Sequence, residues 1–261
     1  MKTISLSIEE LIYSFYSEGL FEQGNSLKQV YFNEISDENM DLLLQISCRT
    51  LLAKDLLVYE NHKFELEPEL KSVIHTLNFS EKSLKASRHK SGGKEESVSF
   101  HFTKSGFLKH SLLYDEQVHR FDSVEKDDML KDLTEFFHLH KEGSDAYQPI
   151  SSEELEGMLT YITENNRQFD SFQVRAELDP FYRVLEKTNG RLNTLLLFEF
   201  DEKKEPTIKD LVLLTNDVDG NWMLLQNGPD YNLTKGSSSK LEAFMMESNS
   251  PKTTEEKESV L

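Results

Sequence analysis

A single cysteine, Cys48, serves a chain of 261 residues. One thiol excludes an intramolecular disulfide and fits a reducing compartment. Long apolar runs are missing as well. The longest, L-L-L-F at 195–198 and L-V-L-L at 211–214, suffice for a strand and fall far short of the roughly 20 residues a spanning helix needs. The first residues, M-K-T-I-S-L-S-I-E-E-L, carry one lysine and no apolar h-region, so no secretory signal is expected and the chain is expected in the cytoplasm. Cations are in deficit: 29 Lys and Arg stand against 47 Asp and Glu, a formal charge of −18. Nucleic acid and anionic membrane are held by clustered Lys and Arg, so neither is expected as a partner. The acid belongs to the body of the chain, since residues 250–261 hold only three Glu against two Lys. Such a surface is either simply solvated or complementary to a basic or aggregation-prone partner.

Catalytic signatures are lacking too. There is no G-x-S-x-G, P-loop or G-x-G-x-x-G, the patterns that build a nucleophile elbow or a phosphate cradle. S-G-G-K at 91–94 is flanked by charge instead of a strand-to-helix transition. The pairs Glu9–Glu10 and Asp127–Asp128 fall at helix starts, where acids complement the dipole. Cys48 lies on an apolar-periodic helix and reads as a small packed residue. His101, His110 and His119 recur at nine-residue intervals on successive strands. Imidazoles ligate metals, but no Asp, Glu or Cys completes a set, and a one-residue slip of register would send the rings to opposite faces. They are expected to be structural or exposed, with a metal hydrolase as a minor third reading. T-N-D-V-D-G-N-W-M-L-L-Q at 215–226 imitates a calcium loop, yet its first and last ligand positions are the uncharged Thr215 and Gln226 and its flanks read as strands. Asp219-Gly220 between apolar runs predicts a tight hairpin turn. No enzyme, metal or cofactor is expected.

What is present is repetition. Ser7 with Glu10 forms a capping box ahead of Leu11, Ile12, Phe15 and Tyr16, and Gly19 suits the stop. The same S-x-E-E-L recurs at Ser151, with Glu154 three residues on and Met158, Leu159 and Ile162 on one face. After the first box come a helix over 37–54, a hairpin through Asn61-His62, a helix from Pro68 over 68–77, strands 97–103, 107–114 and 117–122, and a closing helix over 126–138. After the second come a helical stretch around 171–188, strands 192–200, 208–217, 221–226 and 230–234, and a closing helix over 238–247. The pattern predicts an α+β fold of two pseudo-repeated halves around a mainly antiparallel central sheet with flanking helices. The boundaries expected are 1–140, a linker at 141–150, 151–248, and a disordered polar tail at 249–261. Residues 88–94, R-H-K-S-G-G-K, read as a mobile basic loop. Phe169, Phe172, Phe181 and Tyr182, with Leu178 and Val184, give more apolar surface than one amphipathic stripe requires. They are either a helix pair packed on its own sheet or a groove for a partner helix.

This order and spacing resembles, over residues 5–248, the EspG family of chaperones from type VII (ESX/WXG100) secretion systems. The residues carrying the resemblance are the L-S-I-E-E-L helix, Q-I-S-C-R-T-L-L-A-K-D-L-L within 44–57 (Thr50 where the family tends to have glycine), E-L-E-P-E-L at 65–70, and the late D-x-D-G-x-W hairpin with its final helix. The resemblance implies a quasi-two-fold sheet, no catalysis, and recognition of the tip of helical-hairpin export substrates by a sheet loop at 88–96 and a helical region at 155–186. The partner-binding residues expected are therefore Arg88, His89, Lys90 and Lys94 with Phe169, Phe172, Phe181 and Tyr182. The Lys/Asn/Glu-rich, Ala-poor composition points to an LXG- or WXG-type partner in a Gram-positive organism, and to a monomer or weak homodimer without membrane insertion. The competing expectation is an acidic immunity or antitoxin protein masking a secreted toxin.

Overall fold

The computed structural model describes residues 2–90, 93–141, 146–164, 173–201, 205–217 and 220–249. Strand β1 (Ile4–Ser7) runs into α1 (Ile8–Ser17), followed by α2 (Phe21–Phe32) and α3 (Asp37–Ala53). A hairpin of β2 (Leu57–Glu60) and β3 (Lys63–Leu66) leads to α4 (Pro68–Phe79), then β4 (Lys82–His89), β5 (Glu95–Thr103), β6 (Gly106–Leu113), β7 (Val118–Val124) and α5 (Lys126–Phe136). The series then restarts with β8 (Gln148–Ile150) and α6 (Ser152–Thr163), a 3-10 turn at Ala176–Leu178, and α7 (Asp179–Lys187). It ends in β9 (Asn193–Phe200), β10 (Pro206–Asp217), β11 (Gly220–Asn227), β12 (Asp230–Lys235) and α8 (Ser238–Asn249).

The strand order of the ten-stranded sheet is β1-β7-β6-β5-β4-β9-β10-β11-β12-β8, and β2–β3 form a separate two-stranded ribbon. β1 pairs antiparallel with β7, as β8 pairs with β12. Each half thus contributes a short strand and capping-box helix, four consecutive strands, and a closing helix. The expected α+β fold with repeated halves is what the chain adopts. Both boxes are complete: Ser7 Oγ accepts from Glu10 N at 3.2 Å while Ser7 N donates to Glu10 at 2.9 Å, and Ser151 with Glu154 repeats this at 3.1 and 3.0 Å.

Contacts divide the chain into two compact units. The first comprises Met1–Ser87, Lys94–Met129 and Leu197–Lys209; the second comprises Arg88–Gly93, Leu130–Leu196 and Asp210–Leu261. In the first unit α1 buries two faces. Leu11 and Phe15 join Ile4, Leu70, Ile74 and Phe121, while Ile8 and Ile12 pack with Met40 and, at the margin, Tyr31. That double burial is why its apolar residues outnumber one stripe. In the second unit Leu155 and Met158 of α6 and Val184 and Leu185 of α7 pack with Leu224 and Leu233 of the sheet.

Several boundaries differ from the sequence reading. Strand β4 continues through His89, so Arg88 and His89 end a strand instead of opening a loop. β8 occupies the end of the expected 141–150 linker. Among the described residues, helix in the 171–188 stretch begins at Ala176. Asp217 pairs with Gly220, so β10 and β11 form the expected hairpin with Gly220 as the first residue of β11, not a central turn residue. The hairpin at Asn61-His62 is as expected: both residues lie at positive φ, 51° and 62°, the signature of a two-residue primed turn. The tail at 250–261 lies outside the described residues.

Candidate protein-binding surface

Helix α7 opens with Pro180 in its first turn and carries an Asp179–Arg183 ion pair at 2.8 Å one turn apart. Its sequence D-P-F-Y-R-V-L-E-K sends Phe181, Val184 and Leu185 inward and Arg183, Glu186 and Lys187 outward. Phe181 is fully buried, edge-on to Trp222 with ring centroids 5.9 Å apart. In this state its ring is core and offers no surface to a partner. Tyr182 is half-buried on the flank, and burial, reinforced by the Glu186 carboxylate and Tyr161, raises its phenol above the ordinary range. Leu159 and Ile162 of α6, and Val174 ahead of the 3-10 turn, are likewise partly buried against the same core cluster. Phe169 and Phe172 lie outside the described residues. Among the described residues the apolar surplus therefore resolves into a core helix pair with Tyr182 half-buried at its edge.

The basic segment divides between the two units. In the second, Arg88 Nη1 donates to the Phe136 carbonyl at 2.5 Å, and the guanidinium lies 4.6 Å above the Phe136 ring. Its planar fork is thus held by both backbone and π-face. The His89 amide donates to Asn193 Oδ1 at 3.0 Å, leaving the imidazole exposed, and the Lys90 carbonyl accepts from Gly93 N at 3.2 Å. In the first unit the exposed Lys94 pairs with Asp115 at 2.9 Å, which raises the lysine and lowers the carboxyl. Residues 91–92 lie outside the described residues.

The three histidines do come together, on the first unit's sheet. His110 lies opposite Phe121 in register, and His101 and His119 sit diagonally on the flanking strands. The rings stack with centroids 6.2 Å (His101–His110) and 5.0 Å (His110–His119) apart, and His110 Nε2 lies 2.8 Å from His119 Nδ1. His101 Nδ1 is 2.8 Å from Ser83 Oγ. Burial pushes His101 down to about 4 and His119 to about 4. Burial with its two neighbours' charges takes His110 to about 3. Neutral imidazoles stacked face to face pack as aromatic rings. Among the described residues no group of three His, Cys, Asp or Glu is placed to hold a metal ion.

Features that the sequence did not disclose include α2, β1 and β4. Helix α2 buries only Gly24 fully, and its Phe21 and Val30 are exposed, so no clean apolar period marks it. No helix among the described residues is long and apolar enough to cross a membrane.

Comparison with known proteins fits this geometry. In fold, the chain is similar to the Mycobacterium tuberculosis type VII secretion system chaperone EspG5, solved in complex with a PE25–PPE41 dimer. The TM-score is 0.64 over 95% of each chain at 10% identity. In sequence, it is 34% identical over 231 residues to a Bacillus subtilis (strain 168) protein described as "Uncharacterized protein YfjC", covering 86% of this chain and 91% of that one. The family model described as "Uncharacterised protein YfjC" matches residues 3–245. The EspG resemblance therefore holds at the level of fold, and by sequence the chain belongs to the YfjC family.

Proposed function

We propose that this protein is a non-enzymatic cytoplasmic chaperone or adaptor of a type VII secretion pathway. It binds helical-hairpin export substrates of LXG or WXG type and keeps them competent for export. The observation that carries this reading is the EspG5-like fold running through 95% of the chain, and the Bacillus subtilis relative supports a Gram-positive source. The halves proposed as the units of the repeat are 1–140 and 151–248, with β8 at the end of the 141–150 segment adding its strand to the second.

Contact with the substrate falls to the basic segment, with Arg88 as the anchored post and His89, Lys90 and Lys94 as reaching side chains, and to the margin of α6–α7 around Tyr182. Phe181 supports that margin from beneath. Phe169 and Phe172 are proposed as further contacts. An amphipathic helix docks through apolar anchors one turn apart, and a half-buried tyrosine supplies such an anchor at low entropic cost.

Coexpression tests the proposal. A helical-hairpin export protein that is insoluble alone should become soluble with this chain and lose that rescue with Tyr182→Asp or with Lys90→Glu/Lys94→Glu. Rescue unaffected by these substitutions would remove the surface. A complex formed only with a toxin domain would favour the immunity reading.

A further inference from the structure

Helix α3 buries one side and leaves the other to solvent. Met40, Ser47 and Leu51 are buried, and Leu43, Leu44 and Cys48 partly so. On the opposite side Glu38, Leu42, Gln45, Ile46 and Arg49 follow one another at three- and four-residue steps, which places them on one face. All five are exposed. Leu42 and Ile46, at the centre of the stripe, are 53% and 44% exposed.

The charges on this face are ordered along the axis, with an acid at its start, apolar residues in the middle and a cation at its end. Glu38 lies in the first turn, where an acid complements the helix dipole. Arg49 has no such account. It stands ahead of the last turn, which holds no basic residue. The residues three and four positions away are Gln45, Ile46, Leu52 and Ala53, so no carboxylate of its own helix lies one turn from the guanidinium. A stripe of this order is complementary to its own reversed copy. About a two-fold axis at Leu44, Leu42 of each copy lies over Ile46 of the other, the self-matching contact of an isologous dimer. Glu38 stands six residues before that axis and Arg49 five after it, about 9 and 7.5 Å along the helix. Each Arg49 therefore meets the partner's Glu38, with the partner's Asp41 one turn further in. A parallel pair would set Arg49 against Arg49.

We infer that the outward face of α3 pairs with the same face of a second copy of this chain, antiparallel about a two-fold axis at Leu44, through Leu42, Ile46 and two Arg49–Glu38 ion pairs. This contact stands on α3 alone and does not depend on the chain taking an export substrate. One helix per copy is a small contact beside the roughly 1,200–2,000 Å² of standard interfaces, so the dimer is weak, with Kd on the order of 10–100 µM. The −18 charge of each copy opposes approach at long range. In about 0.15 M salt screening confines that repulsion to roughly 8 Å and leaves the close pairs in force.

Sedimentation equilibrium of the full chain in about 0.15 M salt, at concentrations up to about 300 µM, should show a reversible monomer–dimer equilibrium. Leu42→Ser/Ile46→Ser should raise the dimer Kd about tenfold or more without changing the circular dichroism spectrum, as befits exposed residues. Arg49→Glu and Glu38→Lys/Asp41→Lys should each fail to dimerise alone. Their equimolar mixture should dimerise with a Kd within about threefold of wild type, because one ion pair is kept and the other returns with its signs exchanged. A wild-type chain still monomeric at about 300 µM overturns the inference and leaves the face to a different protein. So does a serine variant with Kd within roughly twofold of wild type, or a mixture of the two charge variants that does not pair.

Discussion

Lys54 Nζ donates to the capping-box carboxylate of Glu10 at 2.6 Å and to the Ser5 carbonyl at 3.2 Å. Arg175 repeats the arrangement in the second half, bonding Glu154 at 2.7 Å and the Pro149 carbonyl at 2.8 Å. Ser5 and Pro149 each stand two residues before their N-cap serine. Each helix start is therefore clamped to its short strand by one cation arriving from later in the chain. The environments differ, since the Glu10 side chain is 4% exposed and that of Glu154 36%.

Lys54→Met should accordingly destabilise the chain by about 1–3 kcal/mol, because it strands a buried carboxylate, with the half-exposed lysine keeping the loss below that of a fully buried pair. Arg175→Met breaks a pair exposed on both sides and should cost about 0–1 kcal/mol. Denaturant midpoints at constant slope measure both. Equal losses would mean the carboxylate's burial does not set the energy.

Gly24 sits inside α2 despite the helix penalty for glycine. A Cβ there would lie 2.3 Å from the Tyr16 ring, so α1 and α2 approach through that missing methyl group. Gly24→Ala should gain helix propensity yet lose net stability by about 1–3 kcal/mol through overpacking. Tyr16→Ala in the same background should recover part of the loss, a coupling that a double-mutant cycle resolves.

The histidine stack makes stability pH-dependent in a definite window. His101, His110 and His119 titrate at about 4, about 3 and about 4 in the folded chain, against roughly 6.5 unfolded. Between these values the unfolded state binds more protons. Stability is therefore full above roughly pH 6.5 and falls as pH drops toward the folded values, with a slope of up to about 1.4 kcal/mol per pH unit for each histidine. Glu199, held below the usual carboxylate range by Lys209 and Lys82, loses its contribution only under more acidic conditions. His110→Phe, facing Phe121 and its two neighbouring rings, should flatten the slope between pH 6.5 and 4.5. An unchanged slope would place the acid sensitivity elsewhere.

Trp222 is the chain's only tryptophan, and Lys235 Nζ lies 3.6 Å from its ring centroid while Phe181 meets it edge-on. Phe181→Ala should cost about 3–5 kcal/mol and shift Trp222 emission to the red. Tyr182→Ala, half-buried at the margin, should leave the emission unchanged. Matching spectra for the two variants would contradict the assignment of one ring to the core and the other to the surface.

The fold was legible where local chemistry and periodicity agree. Both capping boxes, the Pro68 helix start, the Asn61-His62 turn and the late hairpins are written in residues that specify their own backbone. β4 escaped because K-S-L-K-A-S-R-H alternates weakly and ends in charge, and β1 and β8 because strands of four and three residues carry too little pattern. The site was less legible. Composition near 169–182 showed an excess of aromatics without showing that Phe181 points at Trp222, since a core ring and a docking ring look alike in sequence. The histidine stack depended on register, which spacing alone does not fix.

Whether this chain holds a helical-hairpin export protein through an apolar margin aided by charge is tested most directly by coexpressing the two. Copurification is measured at about 0.1 M and about 1 M salt, where screening lengths are roughly 10 and 3 Å. A stoichiometric complex that survives the higher salt and is lost with Tyr182→Asp is the result predicted. No complex with any such substrate, or one that dissolves at about 1 M salt, would contradict it.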